Sequence, residues 1–388
     1  MAVLSIARAV SERMRRIFIV TGEASGDLHG ANLAKALFAL RPSLSLIGVG
    51  GSKMAEAGVQ LLPGIDRVDA IGVPGFAQLW RGVRTLSRLK RFLRMTPLDA
   101  VVFIDSPGMN LRLAKTAAKM GHRVVYYIAP QVWAWGARRL EVIRRTVDRL
   151  LVILPFEESY FRAAGIPCEF VGHPLLDVIA PSYHKPALRA QFGLSPHGFV
   201  LGLLPGSRVH EVEQFLPVML DAVKRVHDHE PFECLLARAE SIPAQLVERI
   251  VIQSGLKVKV VANQANEVMA ASDLLVTASG TATLQAAIIG TPMMIVYRVS
   301  WVTYRVAKLL VRIPYIGLVN IVAGRFVAPE LIQDQMTAER LAGEIRQLRE
   351  NPQRLEAMRA DFQHIRQALG GPGASKRAAE RVLAEAMR

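Results

Sequence analysis

Several short polar clusters interrupt apolar runs in this chain, and their residue types suit the handling of anions and sugars. In "DLLVTASGTATLQAAIIG" (273–290) a buried-looking strand gives way through Ser279, Gly280 and Thr281 to a helix of small and apolar residues. Unpaired backbone N–H groups and the positive end of the helix dipole converge on such a turn, and glycine lets an anion come close. A plain Ser/Thr helix cap with no ligand is the competing reading. "LLPGSRVHEVE" (203–213) repeats the arrangement with Gly206, Ser207 and Arg208. A guanidinium there suits phosphate through its fork of donors, or else pairs with Glu211 or Glu213. "VTGEASGDLHGANLAKAL" (20–37) is a third strand–loop–helix, but its loop lacks the dinucleotide-binding glycine spacing. Glu23 and Asp27 would repel a pyrophosphate and suit sugar hydroxyls, with Ser25 and Gly26 in the same loop. In "VVFIDSPGMN" (101–110), Asp105 ends an apolar strand, either as a helix cap or as a base pointing at a reacting hydroxyl. "APQVWAWGARR" (129–139) sets Trp133 and Trp135 beside Arg138 and Arg139, for stacking on a sugar or for core packing.

The elements that must position these groups form a regular series. Val/Ile/Leu-rich runs at 15–20, 44–51, 99–105, 123–130, 149–155 and 168–174 alternate with helical patterns. After a Pro- and His-containing stretch the series resumes at 199–207, 232–238, 257–262, 273–279 and 292–298. Continuous apolar strands alternating with helices predict parallel sheets covered on both faces. Two such series, separated by a linker near 176–198, predict an α/β protein of two doubly wound, Rossmann-like domains facing a cleft. Ligands are then expected at the carboxyl ends of the strands. The expected boundaries are an extension over 1–14, an N-terminal domain over 15–175 and a C-terminal domain over 176–340. Helices over 341–388 are expected to pack back on the N-terminal domain or on a partner subunit.

At 388 residues two domains are the default, and 48 Lys and Arg against 33 acids give a net charge of +15. That balance points to a polyanionic partner: phosphorylated substrates, an acidic membrane surface or nucleic acid. Cys168 and Cys234 stand in separate apolar strands and read as buried thiols of a reducing, cytoplasmic setting. No window reaches the ~18 uninterrupted apolar residues of a membrane span. No two aspartates stand two residues apart, so an Asp-x-Asp metal motif is missing. His227 and His229 read as decoration of an exposed helix end, and His173 as a structural residue. "DAIGVPGFAQLWRGVRTLSRLKRFLRM" (69–95) is a basic amphipathic segment with apolar residues near helical spacing at 79, 83, 86, 89 and 93. It reads either as an interfacial membrane contact through Trp80, Arg84 and Arg88, or as a solvated helix whose apolar face is core. Ile71, Val73 and Phe76 are candidates to receive acyl chains.

The blocks "GEASGD", "FIDSPGMN", "APQVWAW", "FEESYF…VGHPLLD", "LLPGSR", "ASGTATLQAA" and "LVNIVAGRFVAPELIQ" occur in this order from about residue 15 onward. Together they resemble the lipid-A-disaccharide synthase family. The resemblance implies an inverting glycosyltransferase of the GT-B type. It would join UDP-2,3-diacylglucosamine to 2,3-diacylglucosamine 1-phosphate (lipid X) and release UDP, as a step of lipid A synthesis for lipopolysaccharide. It also implies Asp105 as the catalytic aspartate, Arg208 as a donor-side arginine, residues 279–281 as the pyrophosphate turn and Asn320 as a residue near the nucleoside. Gln285 stands where many members carry the glutamate that holds the ribose. A dimer peripherally associated with the inner membrane, needing neither cofactor nor metal, completes the implied picture. Two other readings compete: a non-hydrolysing UDP-sugar epimerase of similar architecture, and a basic nucleic-acid-binding protein.

Overall fold

The structure, a computed structural model, describes residues 14–22, 24–65, 76–134, 136, 138–227, 231–301, 304–305 and 314–388, with backbone only at 24, 76–81 and 138. The chain divides into two compact units. One comprises the residues up to Asp177 together with Gly370–Arg388, and the other comprises Val178–Leu369.

In the first unit, β1 (Arg16–Thr21), β2 (Ser45–Val49), β3 (Gln60–Leu61), β4 (Ala100–Ile104), β5 (Arg123–Tyr127), β6 (Arg149–Val152) and β7 (Cys168–Phe170) form one sheet in the order β3-β2-β1-β4-β5-β6-β7. Every pairing in it is parallel. Strand side chains alternate between faces, and two cores result. Ile17, Ile19, Val102, Ile104, Val125 and Tyr127 meet the helices Ala24–Leu40 and Ala374–Ala386. Phe18, Val20, Val101, Phe103, Val124 and Tyr126 meet the helices Phe76–Met95, Pro107–Lys119 and Arg138–Thr146. The interiors of the central strands β1, β4 and β5 are apolar because both faces are covered.

The second unit repeats the plan. Strands β8 (Val200–Leu204), β9 (Glu233–Arg238), β10 (Lys259–Ala262), β11 (Leu274–Ala278), β12 (Met293–Tyr297) and β13 (Glu330–Ile332) lie in the order β10-β9-β8-β11-β12-β13, all parallel. In each sheet the winding reverses between two neighbouring strands: β1 and β4 in the first, β8 and β11 in the second. A crevice opens at the carboxyl ends of such a pair.

One feature of this architecture corrects the sequence reading, and another decides between two of its alternatives. Of the helices after residue 337, Ala338–Arg349 and Pro352–Ala368 belong to the second unit. Their stripes Leu341, Ile345, Leu348 and Leu355, Met358, Phe362 are buried there, against the helices Val209–His227 and Thr281–Ile289. Only Ala374–Ala386 packs on the first unit, where Ala378, Ala379 and Val382 allow close approach to Ala24–Leu40. The Asp177 carboxylate caps this last helix, accepting N–H bonds from Gly373, Ala374 and Ser375 at 2.6, 3.2 and 2.9 Å. The other feature concerns the helix Phe76–Met95, for which the sequence left two readings open. Leu89 and Leu93 are fully buried, Leu86 packs on the same core and Phe18 meets Phe92 at 4.8 Å. That part of the apolar stripe is core, whereas Val83 is 58% exposed.

Candidate active site

The carboxyl ends of β1 and β4 bring two of the polar clusters together. Asp105 and Ser106 follow β4 with φ of +48° and +46°, a left-handed conformation that costs a non-glycine residue about 1–3 kcal/mol. The surroundings hold it in place. Asn110 donates to the Ile104 and Asp105 carbonyls at 3.0 and 2.8 Å, and the Tyr126 hydroxyl donates to the Asp105 carbonyl at 2.6 Å. The Asp105 N–H donates to the Tyr127 carbonyl at 3.2 Å. Pro107 then opens the helix Pro107–Lys119, its missing N–H cost-free at that position. Burial, followed by the negative charge of Asp105, pushes the Tyr126 phenol well above its usual range, so it stays a donor. From β1, Gly22 touches this turn, and a Cβ there would stand 2.6 Å from Ser106 Cβ. Asp105 is thus a partly exposed carboxylate on an over-determined, strained backbone.

Its neighbours in the first unit are occupied differently from the sequence reading. Asp27 is buried, and its carboxylate accepts from Gly51, Lys53 and Met54 N–H at 2.6, 3.3 and 3.2 Å. It caps the short helix Ser52–Glu56 and has no exposure with which to meet a sugar hydroxyl. Gly26 is buried where a Cβ would press on Thr21 Cβ at 3.1 Å, so it lets the helix approach β1, while Ser25 is exposed. Glu23, Ile71 and Val73 lie outside the described residues, as do the side chains of Phe76 and Trp80. Arg84 is exposed, and Arg88 holds the preceding loop by donating to the Gly64 and Pro63 carbonyls at 2.8 and 3.3 Å. Trp133 is half-buried, donates from Nε1 to Glu157 at 2.9 Å and sets its ring edge-on to Phe156 at 5.0 Å. Burial pushes the Glu157 carboxyl up to about 7 despite that bond. His173 is structural, as its place in the chain suggested: its Nδ1 accepts from Leu175 N–H at 3.1 Å.

In the second unit the two anion-type turns leave neighbouring strands, because β8 pairs directly with β11. The first of them already contains a carboxylate. Glu211 is buried and accepts from the Ser207 and Arg208 N–H groups at 3.1 and 3.3 Å, and from Arg208 Nη1 at 3.0 Å. The Arg208–Glu211 pair weighed from sequence is therefore present, and it leaves half of the Arg208 side chain exposed. Gly206, at φ +121°, is required twice over, since a Cβ there would also stand 2.8 Å from Glu211 Cβ. Burial and the nearby Glu211 charge raise the Tyr297 phenol at the end of β12.

Among the described residues the second turn has no such internal anion. Gly280, at φ +151°, precedes the helix Thr281–Ile289, and among the described residues no side chain caps it. Gly280 and Thr281 are exposed, and a Cβ on Gly280 would meet nothing. The Ser279 hydroxyl donates to the Ile316 carbonyl at 3.1 Å, tying the turn to the loop before β13. Glu330 organises that loop by accepting from Ile316 and Gly317 N–H at 3.0 and 2.9 Å. Gln285, one turn along the helix and half-buried, donates to Asn266 at 3.2 Å.

Asn320, which the resemblance implies near the nucleoside, has a structural role in the second unit. It is fully buried, its amide donates to Ala328 O and Glu330, and its Oδ1 accepts from Val327 and Ala328 N–H, all at 2.8–2.9 Å. Every hydrogen-bonding position of this side chain is filled from within the chain, so it braces the segment that runs from the helix Leu318–Ala323 to β13. Glu211, Tyr126 and Asn110 carry much of this geometry. Only Glu211 had a sequence signal, its place three residues after Arg208.

The model of the family described as lipid-A-disaccharide synthetase matches residues 17–385 of this chain. The chain is 43% identical over 371 residues to the lipid-A-disaccharide synthase of Geobacter metallireducens, covering 95% of this chain and 97% of that one. Among solved structures it is similar to the calicheamicin glycosyltransferase CalG4, with a TM-score of 0.62 at 17% identity over 97% of this chain and 99% of that one. It is equally similar to the UDP-GlcNAc 2-epimerase of Neisseria meningitidis bound to UDP-GlcNAc, at 0.61 and 14% over 95% and 100%. At those identities the structural likenesses establish the two-domain GT-B architecture and no more.

Proposed function

Since the chain belongs to the lipid-A-disaccharide synthetase family, a hexosyltransferase family that forms the lipid A disaccharide, we propose that its second unit holds a UDP-diacylglucosamine donor and that Asp105 activates the acceptor. The acceptor is a diacylglucosamine 1-phosphate. Its attacking hydroxyl gives a proton to the Asp105 carboxylate and forms a bond to the donor's anomeric carbon. The bond from that carbon to the phosphate oxygen breaks, and UDP leaves with the electron pair. Attack from the opposite face inverts the anomeric configuration.

The observation that carries this reading is the pair of neighbouring turns at the β8/β11 reversal. One has an uncapped helix N-terminus at Gly280–Thr281, and the other presents a half-exposed Arg208 anchored by Glu211. Negative charge grows on the departing diphosphate, and a fixed dipole with a pre-oriented guanidinium stabilises it without reorganisation. Those groups can meet the charge without a divalent cation. Gln285 accepts a ribose hydroxyl through its carbonyl oxygen in this scheme. The strained, hydrogen-bonded backbone at 105–106 supports Asp105 as the base, since a base must sit at a fixed distance from its hydroxyl.

No helix among the described residues is long and apolar enough to cross a membrane. The net charge of +15, the exposed Arg84 and the exposed Val83 support a peripheral position on an anionic cytoplasmic surface. Incubation with UDP-diacylglucosamine and the monosaccharide 1-phosphate tests the scheme. Disaccharide and UDP should appear in equal amounts, with inversion at the new bond. Interconversion of the UDP-sugar without acceptor would instead identify an epimerase.

A further inference from the structure

On the outer face of the first unit, the helices Phe76–Met95, Pro107–Lys119 and Arg138–Thr146 enclose a groove of about 760 Å³. Six cations line it: Lys90, Arg94, Arg112, Lys115, Lys119 and Arg145. The one carboxylate, Glu141, is bonded to Arg144 and Arg145, which pull its carboxyl down to about 2. Among the described residues Lys90, Arg94, Arg112, Lys115 and Lys119 have no carboxylate partner. The helix Pro107–Lys119 separates its two roles by face. Leu111, Leu113, Ala114 and Ala117 are buried, whereas Arg112, Lys115 and Lys119 point outward.

This groove does not belong to the catalytic edge. Asp105 precedes the helix Pro107–Lys119, and the groove lies along that helix from Arg112 to its far end at Lys119, where the chain turns back into β5. Thirteen residues at 1.5 Å each make that helix about 20 Å long. The helix C-termini gathered there favour cations, but three half-charges do not balance six whole ones. Apolar groups are exposed among the cations as well: Met120 lines the groove at 45% exposure, and Met95, beside Arg94, is 75% exposed. Cations mixed with exposed thioethers suit the boundary between headgroups and acyl chains better than a fully hydrated polyanion.

We propose that this groove seats the phosphate of an anionic phospholipid headgroup, so that the helix-covered face of the first unit lies against the membrane. The proposal rests on the peripheral-membrane reading above and gives it a place in the fold.

Co-sedimentation of the full chain with phosphatidylcholine vesicles, with and without phosphatidylglycerol, tests it across a salt series. The triple variant Arg112→Ala/Lys115→Ala/Lys119→Ala should bind phosphatidylglycerol vesicles roughly a hundredfold more weakly, at about fivefold per cation. The charge-retaining variant Arg112→Lys/Lys115→Arg/Lys119→Arg should bind as the unaltered chain does, which separates loss of charge from loss of fold. A control that removes three exposed cations of the second unit, Lys224→Ala/Arg249→Ala/Lys257→Ala, should keep its binding. If the unaltered chain shows no preference for phosphatidylglycerol, the peripheral-membrane reading fails and the groove falls with it. If it binds but the groove variant binds equally, or the control loses as much, the groove proposal alone is overturned. Release from vesicles by soluble glycerol phosphate would mark a free-phosphate site, and retention on duplex DNA without retention on vesicles a nucleic-acid surface. Either result refutes the lipid assignment.

Discussion

Gly22→Ala is a one-carbon change outside the reacting groups that should nonetheless cripple the enzyme. The new Cβ would stand 2.6 Å from Ser106 Cβ, about 1 Å inside the usual separation of ~3.5–4.0 Å between carbon atoms. Rotating the Ser106 side chain moves its hydroxyl but not its Cβ, so backbone must shift. The give is on the β4 side, because Asp105 and Ser106 already sit at φ +48° and +46°. Overpacking of this size costs about 1–3 kcal/mol of stability. A 1 Å displacement of a catalytic group costs on the order of 100-fold in rate. Turnover of the two lipid substrates should therefore fall about 100-fold, while UDP binding, measured by calorimetry, should stay unchanged. Ser106→Gly removes both offending atoms and suits the positive φ, so Gly22→Ala/Ser106→Gly should recover most of the lost rate. Wild-type turnover in Gly22→Ala, or a double variant as slow as the single one, would refute the idea that this contact positions Asp105.

Asp105→Asn should abolish turnover and leave UDP binding nearly intact, whereas equal loss of both in paired kinetic and calorimetric measurements would make Asp105 structural. Arg208→Ala should weaken UDP binding about 10- to 100-fold, the worth of one charge-assisted contact, and an unchanged Kd would remove Arg208 from the diphosphate site. Glu211→Ala should weaken UDP binding through the freed guanidinium and lower stability by about 1–3 kcal/mol, because it strands two backbone donors. Burial pulls His29 down to about 4 and His173 down to about 3 from 6.5, so both withdraw stability as pH falls below 6.5. Glu157, pushed up from 4.5 to about 7, works in the opposite direction over that range. Two protons against one, at 1.36 kcal/mol per pH unit, give a net loss of about 2 kcal/mol between pH 6.5 and 5. Urea titrations at the two pH values measure it, and His173→Gln should flatten the slope. Rising stability on acidification would show that the histidines are not held neutral.

Much of the fold was legible because both sheets are parallel and covered on both faces, so each principal strand is an unbroken apolar run that needs no partner to be recognised. β3 and β13, with two and three residues, carry too little pattern to be read. The basic helix Phe76–Met95 was ambiguous for a physical reason: one stripe of leucines serves equally for a core or for a bilayer, and only the presence of Phe18 and its neighbours beneath Leu89 and Leu93 decides it. The site was harder, because a strand-to-helix turn that binds a phosphate and one that binds its own chain's carboxylate use the same residues. Asp27 fills the turn at Gly51 and Glu211 the one at Ser207, and Asp177 does the same at Gly373, where one helix follows another. Spacing along the chain reveals Glu211, three residues from Arg208, but not Asp27 or Asp177, which reach turns 24 and 196 residues away. Nor does spacing reveal that the Asn320 side chain spends its bonds on Val327, Ala328 and Glu330. What distinguishes Ser279–Thr281 is that, among the described residues, no carboxylate of the chain bonds to its N–H groups. With the neighbouring turn at Ser207 filled by Glu211, the helix end at Gly280–Thr281 is the one left to a ligand at this reversal, and the half-exposed Arg208 beside it makes that ligand an anion.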